Sequence, residues 1–250
     1  PHTVKKEDLE KIRDRAKKYN VPVSMHVAET QKEFDKFKKQ YNMTPIEYLD
    51  SIGLLNERFI AAHSIFVTES DIELMKKRDI GIAHNMVANI KSAKGVSPAL
   101  KMFDDGLRIG LGTDGPMSGN TLDIIGQMGY VAKLHKLINK DRSAMPPYKV
   151  VEMTTMGGAR AIHREKELGS LENGKLADIV ILETKSANMQ PIFDPYSVLV
   201  YSANASNVNT VIVNGKMIVE NKKLLTYDEE KNRKVIKEFS KEVKKIAETL

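Results

Sequence analysis

The sequence predicts an α/β protein: the C-terminal part of a (β/α)8 TIM-like barrel followed by part of a small accessory β-sandwich domain. Two observations lead there. Four apolar runs reading as buried parallel strands alternate with segments of helical period, and strands alternating with helices imply a parallel sheet. Each run also finishes in a residue able to bind a metal or a substrate, at His26, His63, His84 and Asp114. An α/β barrel keeps its chemistry at that end of its strands. After about residue 168 the pattern shifts to turns and a hairpin.

Taken in order, Leu9, Ile12 and Ala16 recur at helical spacing between Lys5 and Asn20, and Val21-Pro22 ends that helix. A strand then reaches His26, with Glu29 three residues on, where the chain has entered a loop. The same unit repeats as a helix over Thr44 to Ile52 and a strand over Phe59 to His63. It repeats again as Glu69 to Lys77 with Ile80 to His84, and as Pro98 to Asp104 with Arg108 to Asp114. Asn85 to Gly95 reads as a loop of small and polar residues. Helices are expected over Leu122 to Ile138 and Val150 to Ile162, separated by Met145-Pro146-Pro147. Beyond the turn-rich Gly169 to Lys175 comes a strand over Ala177 to Leu182. A hairpin follows, Thr210 to Val213 and Lys216 to Val219 around Asn214-Gly215. Val235, Phe239, Val243, Ile246 and Leu250 mark an amphipathic helix lying on something larger.

The expected divisions are residues 1–167 for the partial barrel, comprising its last four strands and the following helices, 168–227 for part of the sandwich, and 228–250 for the terminal helix. A closed barrel needs eight strands. Only four are found, so the sequence is expected to be the C-terminal part of a longer protein.

With 250 residues and 41% hydrophobic side chains, the chain is able to bury a sizeable core. It has no cysteine, which excludes disulfides, thiolate zinc sites and cysteine nucleophiles. Any metal must sit on His, Asp or Glu. The net charge of +6 arises from Lys and Arg interleaved with Asp and Glu, the pattern of a solvated surface. Nucleic acid is therefore not an expected partner. No apolar stretch approaches the roughly 18 residues of a membrane span, so a soluble cytoplasmic protein acting on a small molecule is expected.

A mononuclear hydrolytic site requires nitrogen and oxygen ligands, an open position for water, a base for that water and an acid for the leaving group. His26, His63, Asp114 and Glu29 supply such a set. Asp114 follows Ile-Gly-Leu-Gly, where a buried carboxylate is costly without a cation. His84 is expected either to hold its loop or to touch substrate, and Asn89 and Lys91 either to line the pocket or to hold that loop. His135 and His163 read as surface or capping residues. The 12 methionines are scattered, as core fillers are.

His-Val-Ala-Glu-Thr (26–30), Ala-Ala-His-Ser (61–64), His84 to Gly95, and Gly-Thr-Asp-Gly-Pro-Met-Ser-Gly-Asn-Thr-Leu-Asp (112–123) resemble the amidohydrolase superfamily. Within it they are most similar to the 5-methylthioadenosine/S-adenosylhomocysteine deaminases. The likeness continues through Gly-Ser-Leu-Glu-Asn-Gly-Lys-Leu-Ala-Asp (169–178) and the hairpin at 213–216. The resemblance implies that His26 is a zinc ligand and that Asp114 is both ligand and general base. It implies that Glu29 binds substrate and protonates a ring nitrogen, that His63 polarises the attacking water or the developing oxyanion, and that His2 contacts substrate. It implies one Zn2+ or other divalent ion per subunit, a homodimer or higher homo-oligomer, and hydrolytic deamination of 6-aminopurine nucleosides. The family's first barrel strand carries a His-x-His pair that none of the six histidines here forms. The competing expectations are a guanine, pterin or triazine hydrolase on the same scaffold, or a non-catalytic fragment lacking the full metal site.

Overall fold

A computed structural model describes residues 1–248. Its first half follows from helix and strand alternation. Helix α1 (Lys6–Tyr19) ends at Asn20, whose left-handed conformation turns the chain into strand β1 (Val23–Val27). Then come α2 (Gln31–Tyr41), α3 (Pro45–Ser51), β2 (Phe59–His63), α4 (Glu69–Lys77), β3 (Gly81–His84), α5 (Met86–Lys91), α6 (Ala99–Asp104) and β4 (Arg108–Leu111). The four strands form one parallel sheet in the order β1-β2-β3-β4. Ile46, Leu49, Leu54, Phe59, Met75 and Ile82 are fully buried in the core that covers it.

Helix starts are chemically marked. Thr44 and Thr68 each close a capping box, with Glu47 and Asp71 three residues later, and Pro45 opens α3. Asp71 is wholly buried, yet it accepts from Thr44 Oγ1, Thr68 N and Thr68 Oγ1 at 2.5, 2.8 and 2.9 Å, so its carboxyl oxygens are hydrogen-bonded rather than orphaned.

After β4 come α7 (Pro116–Gly119), α8 (Ile124–Asn139), α9 (Pro147–Glu152), a π turn over Met153–Gly157, and α10 (Gly158–Ala161). The π turn brings glycine backbone against β4. A Cβ on Gly157 would lie 2.5 Å from the Ile109 carbonyl oxygen, and one on Gly110 would lie 2.5 Å from Gly158 Cα. The strand that precedes Asp114 is seated through this contact. Strand β5 (Ile179–Leu182), helix α11 (Pro195–Tyr201), strands β6 (Val208–Val213), β7 (Lys216–Glu220) and β8 (Lys223–Leu224), and helix α12 (Glu229–Ala247) complete the chain.

Two compact units result: residues 1–175 with 187–205, and residues 176–186 with 206–250. The second holds the antiparallel sheet β5-β6-β7-β8, and its β6–β7 hairpin turns at Asn214-Gly215 as expected. Among the described residues, no helix is long and apolar enough to cross a membrane.

Several expectations need correction. Gln31–Tyr41 is helical although no helix was expected there, because Thr30 caps it by accepting from Glu33 N. The expected loop at 85–95 contains α5, and the fourth strand stops at Leu111, leaving Asp114 beyond it. The terminal helix does not lie on a larger surface among the described residues. None of its side chains is buried, and Phe239 is 63% exposed. Leu250, expected in its apolar stripe, lies outside the described residues.

Candidate active site

Along β1, Val27 is buried and Met25 half-buried, while Ser24 and His26 take the open face. In register, His26 pairs with Ala62 and Val27 with His63, so the two histidines rise from adjacent strands with ring centroids 5.1 Å apart. The small side chains of Ala62 and Ala83 leave room beside them. A cavity of about 460 Å³ opens there, lined also by His2, Glu29, Asn85 and Asp114.

Past Val27 the chain turns sharply, with Ala28 at φ 52°. Its carbonyl accepts from Ile65 N and Phe66 N, both at 2.9 Å. Glu33, which is buried, accepts from Ala28 N at 3.2 Å and from Glu29 N at 2.9 Å. A side chain that accepts from two successive backbone amides in this way fixes where Glu29 leaves the backbone.

His63 is fully buried and stands at φ 75°, in the left-handed region that a residue with a Cβ seldom adopts. Its Nδ1 lies 2.7 Å from Asn89 Oδ1. The amide oxygen only accepts, so Nδ1 carries the proton and Nε2 presents a lone pair. That Nε2 is buried without a hydrogen-bond partner, 3.4 Å from Glu29 Oε1. The ligand atoms of His26, Glu29 and His63 all lie within 4.8 Å of one another. An unpaired buried imidazole nitrogen beside a carboxylate and a second imidazole is a donor set that fits a divalent cation.

Asp114 lines the same cavity but is not a member of that cluster. It also has positive φ, at 56°, and accepts from Gly115 N at 2.7 Å. Partial burial pushes its carboxyl up, but the Gly115 amide, the Ser118 hydroxyl and the nearby imidazoles outweigh this and hold it below its ordinary value. Glu29 is likewise raised by burial. A hydrogen bond from Lys94 Nζ at 2.5 Å and the electrostatic influence of the neighbouring His63, Lys94 and His26 side chains bring it below its usual range. Both groups are therefore carboxylates at neutral pH. His2 is exposed at the cavity, and its carbonyl accepts from Lys36 Nζ at 2.9 Å.

The remaining histidines divide. His163 stands at positive φ just past α10 with Nε2 2.9 Å from the Asp79 carbonyl oxygen, a capping position as expected. His135 is not a surface residue. It is 1% exposed, and its Nε2 lies 3.3 Å from Nε2 of His84, itself wholly buried. Burial, with smaller contributions from His135 and His63, pushes His84 down to about 3, and burial pushes His135 down to about 4. Lys91 bonds to the Met117 carbonyl and to Asn120, so it holds a loop. Sequence reading missed Glu33 and Lys94. The Thr30-x-x-Glu33 pattern was a usable sign for the first, whereas nothing local announces a pairing across 65 residues for the second.

The amidohydrolase family profile matches residues 1–218. The chain is 40% identical over 230 residues to a 5'-deoxyadenosine deaminase of Methanosphaera stadtmanae, covering 92% of this chain and 54% of that protein. It is 38% identical over 231 residues to a 5-methylthioadenosine/S-adenosylhomocysteine deaminase of Syntrophomonas wolfei, with coverage of 92% and 54%. The chain thus spans about half the length of these relatives. A crystal structure of an adenosine deaminase from Xanthomonas campestris with bound zinc superposes with a TM-score of 0.93 at 30% identity, over 97% of this chain and 55% of that one. Strand-end histidines beside a cavity, close superposition on a zinc-bound adenosine deaminase, and a profile match across most of the sequence agree on one assignment: the chain belongs to the amidohydrolase family.

Proposed function

We propose that the protein is a zinc-dependent hydrolytic deaminase of 6-aminopurine nucleosides such as S-adenosylhomocysteine, 5-methylthioadenosine or 5'-deoxyadenosine, releasing ammonia in the cytoplasm. The parallel sheet is read as the last four strands of a (β/α)8 barrel, with residues 1–167 as its part, 168–227 as part of an accessory β-sandwich and 228–250 as the terminal helix. The observation that carries the reading is the unpaired Nε2 of His63, buried beside Glu29 and His26 on a cavity that Asp114 also lines.

In this reading His26 and Asp114, which line one cavity with the His63 and Glu29 donor atoms close to His26, would hold one divalent ion, whose contribution would be Lewis acidity toward a bound water. Asp114, ionised in the resting site, accepts the proton of the attacking water. His63, its Nδ1–H fixed on Asn89, turns its Nε2 lone pair toward that water and orients it. Glu29, a carboxylate at rest, would carry the other proton of that water to the ring nitrogen as the 6-position becomes tetrahedral, and Asp114 would return its proton to the amino group, which leaves as ammonia. His2 sits where it can contact the substrate.

The test is ammonia release by the full-length, metal-replete protein. Turnover of the three adenosine-type nucleosides, well above that of guanine, pterins or triazines, is the expected result. Preference for one of the latter heterocycles would overturn the substrate assignment, and active protein without stoichiometric metal would overturn the mechanism.

A further inference from the structure

Glu29 stands where it could serve the site in either of two ways. Its carboxylate lies within ligand distance of the donor atoms of His26 and His63, so a cation bound there finds it as a ready additional ligand. A carboxylate oxygen bound directly to a divalent ion has its lone pair engaged and cannot take up a proton there, whereas one hydrogen-bonded to an ammonium still can. What distinguishes Glu29 is its partner. Lys94 Nζ donates to Oε1 at 2.5 Å, and the Glu29 side chain is only 14% exposed, so little water screens the pair. A divalent ion on that oxygen would be driven against the ammonium.

Lys94 does not arrive by accident of a flexible side chain. Its own N–H donates to the Asn89 carbonyl at 3.0 Å, and it lies between Ala93 at φ 52° and Gly95 at φ 124°. At that Gly95 conformation any side chain would be strained, and a Cβ would crowd Ile65 at 3.1 Å. The same Asn89 holds Nδ1 of His63. One short helix and its following turn therefore position two site residues, one just past β1 and one at the end of β2.

We infer that Lys94 is a positioning residue whose ammonium, by holding Glu29 Oε1, keeps that carboxylate out of the cation's coordination shell and reserves it for proton transfer. The inference rests on the reading of a divalent site given above. Lys94 is one-third exposed, so its substitution leaves the core intact.

The experiment uses the full-length protein loaded with Co2+, whose visible spectrum reports coordination number, alongside kcat, KM and the rate of cobalt loss to a chelator. In Lys94→Met the visible bands are expected to weaken as a carboxylate ligand is added, and cobalt loss to slow by about tenfold. The kcat is expected to fall about tenfold or more, with KM within about threefold. Lys94→Arg is expected to restore spectrum and kcat to near wild type, and Lys94→Met/Glu29→Gln to restore the spectrum without the activity. A Lys94→Met protein with the wild-type spectrum overturns the role of Lys94 whether or not kcat changes. A wild-type protein that binds no cobalt overturns this inference and the metal reading together, whereas the ammonia assay reports on the substrate class alone.

Discussion

Asp114 and Glu29 are both ionised, but different neighbours keep them so, and this separates their expected phenotypes. Asp114 rests on two neutral donors, the Gly115 amide and the Ser118 hydroxyl, whereas Glu29 is held by the Lys94 ammonium. In the proposed roles Asp114→Asn removes a base and weakens a ligand together, so turnover should drop below detection and metal content should fall, as read by elemental analysis. Glu29→Gln preserves shape but not the proton. Activity should fall by roughly 10² or more while metal persists, and equal loss of metal would make Glu29 a ligand instead. Both residues were legible in the sequence, because each ends or follows an apolar run in a way a buried carboxylate does not without a purpose. Lys94 was not, since its partner is fixed by the packing of two loops far apart in the chain.

At the scale of elements, the strands and most helices followed from period and caps, and β2 and α4 begin and end as expected. Helix α2 escaped notice because its run, Gln31 to Tyr41, is mostly charged, with only Glu33 and Phe37 buried. Its significance is the acceptor it delivers. Glu33 bonds the amides of Ala28 and Glu29 as a carboxylate with two acceptor oxygens, and a carboxamide would turn one donor group toward an amide hydrogen. Glu33→Gln should therefore cost about 1–3 kcal/mol in denaturant unfolding and disturb Glu29 as well. A variant as stable and as active as wild type would show that the turn at Ala28 holds without Glu33. The π turn was equally hidden, since close approach of Gly157 and Gly158 to β4 depends on tertiary fit and not on local period.

For the whole first unit, the buried imidazole pair links the end of β3 to the middle of α8. Met128, Val131, Ala132 and His135 are buried at helical spacing, so the pattern that hid His135 between Lys133 and Lys136 also contained the sign of its burial. With two ring nitrogens facing at 3.3 Å, the pair accommodates one shared proton and repels a second. Both Nδ1 atoms are buried without partners, so neither ring is compensated if it becomes charged. The folded values of about 3 and about 4 lie below the ordinary 6.5, so below pH 6.5 the unfolded chain binds more protons than the folded one. Stability from this pair is therefore complete above pH 6.5 and is lost as pH falls toward 4, at up to about 1.4 kcal/mol per pH unit for each ring. The unfolding free energy from denaturant titration should fall by roughly 2 kcal/mol or more between pH 6.5 and 5, above the range in which ordinary carboxylates titrate. His135→Asn removes one titrating ring while keeping a polar group against His84. The fall over the same interval should shrink by about half, and an unchanged slope would move the origin of the acid sensitivity away from the pair.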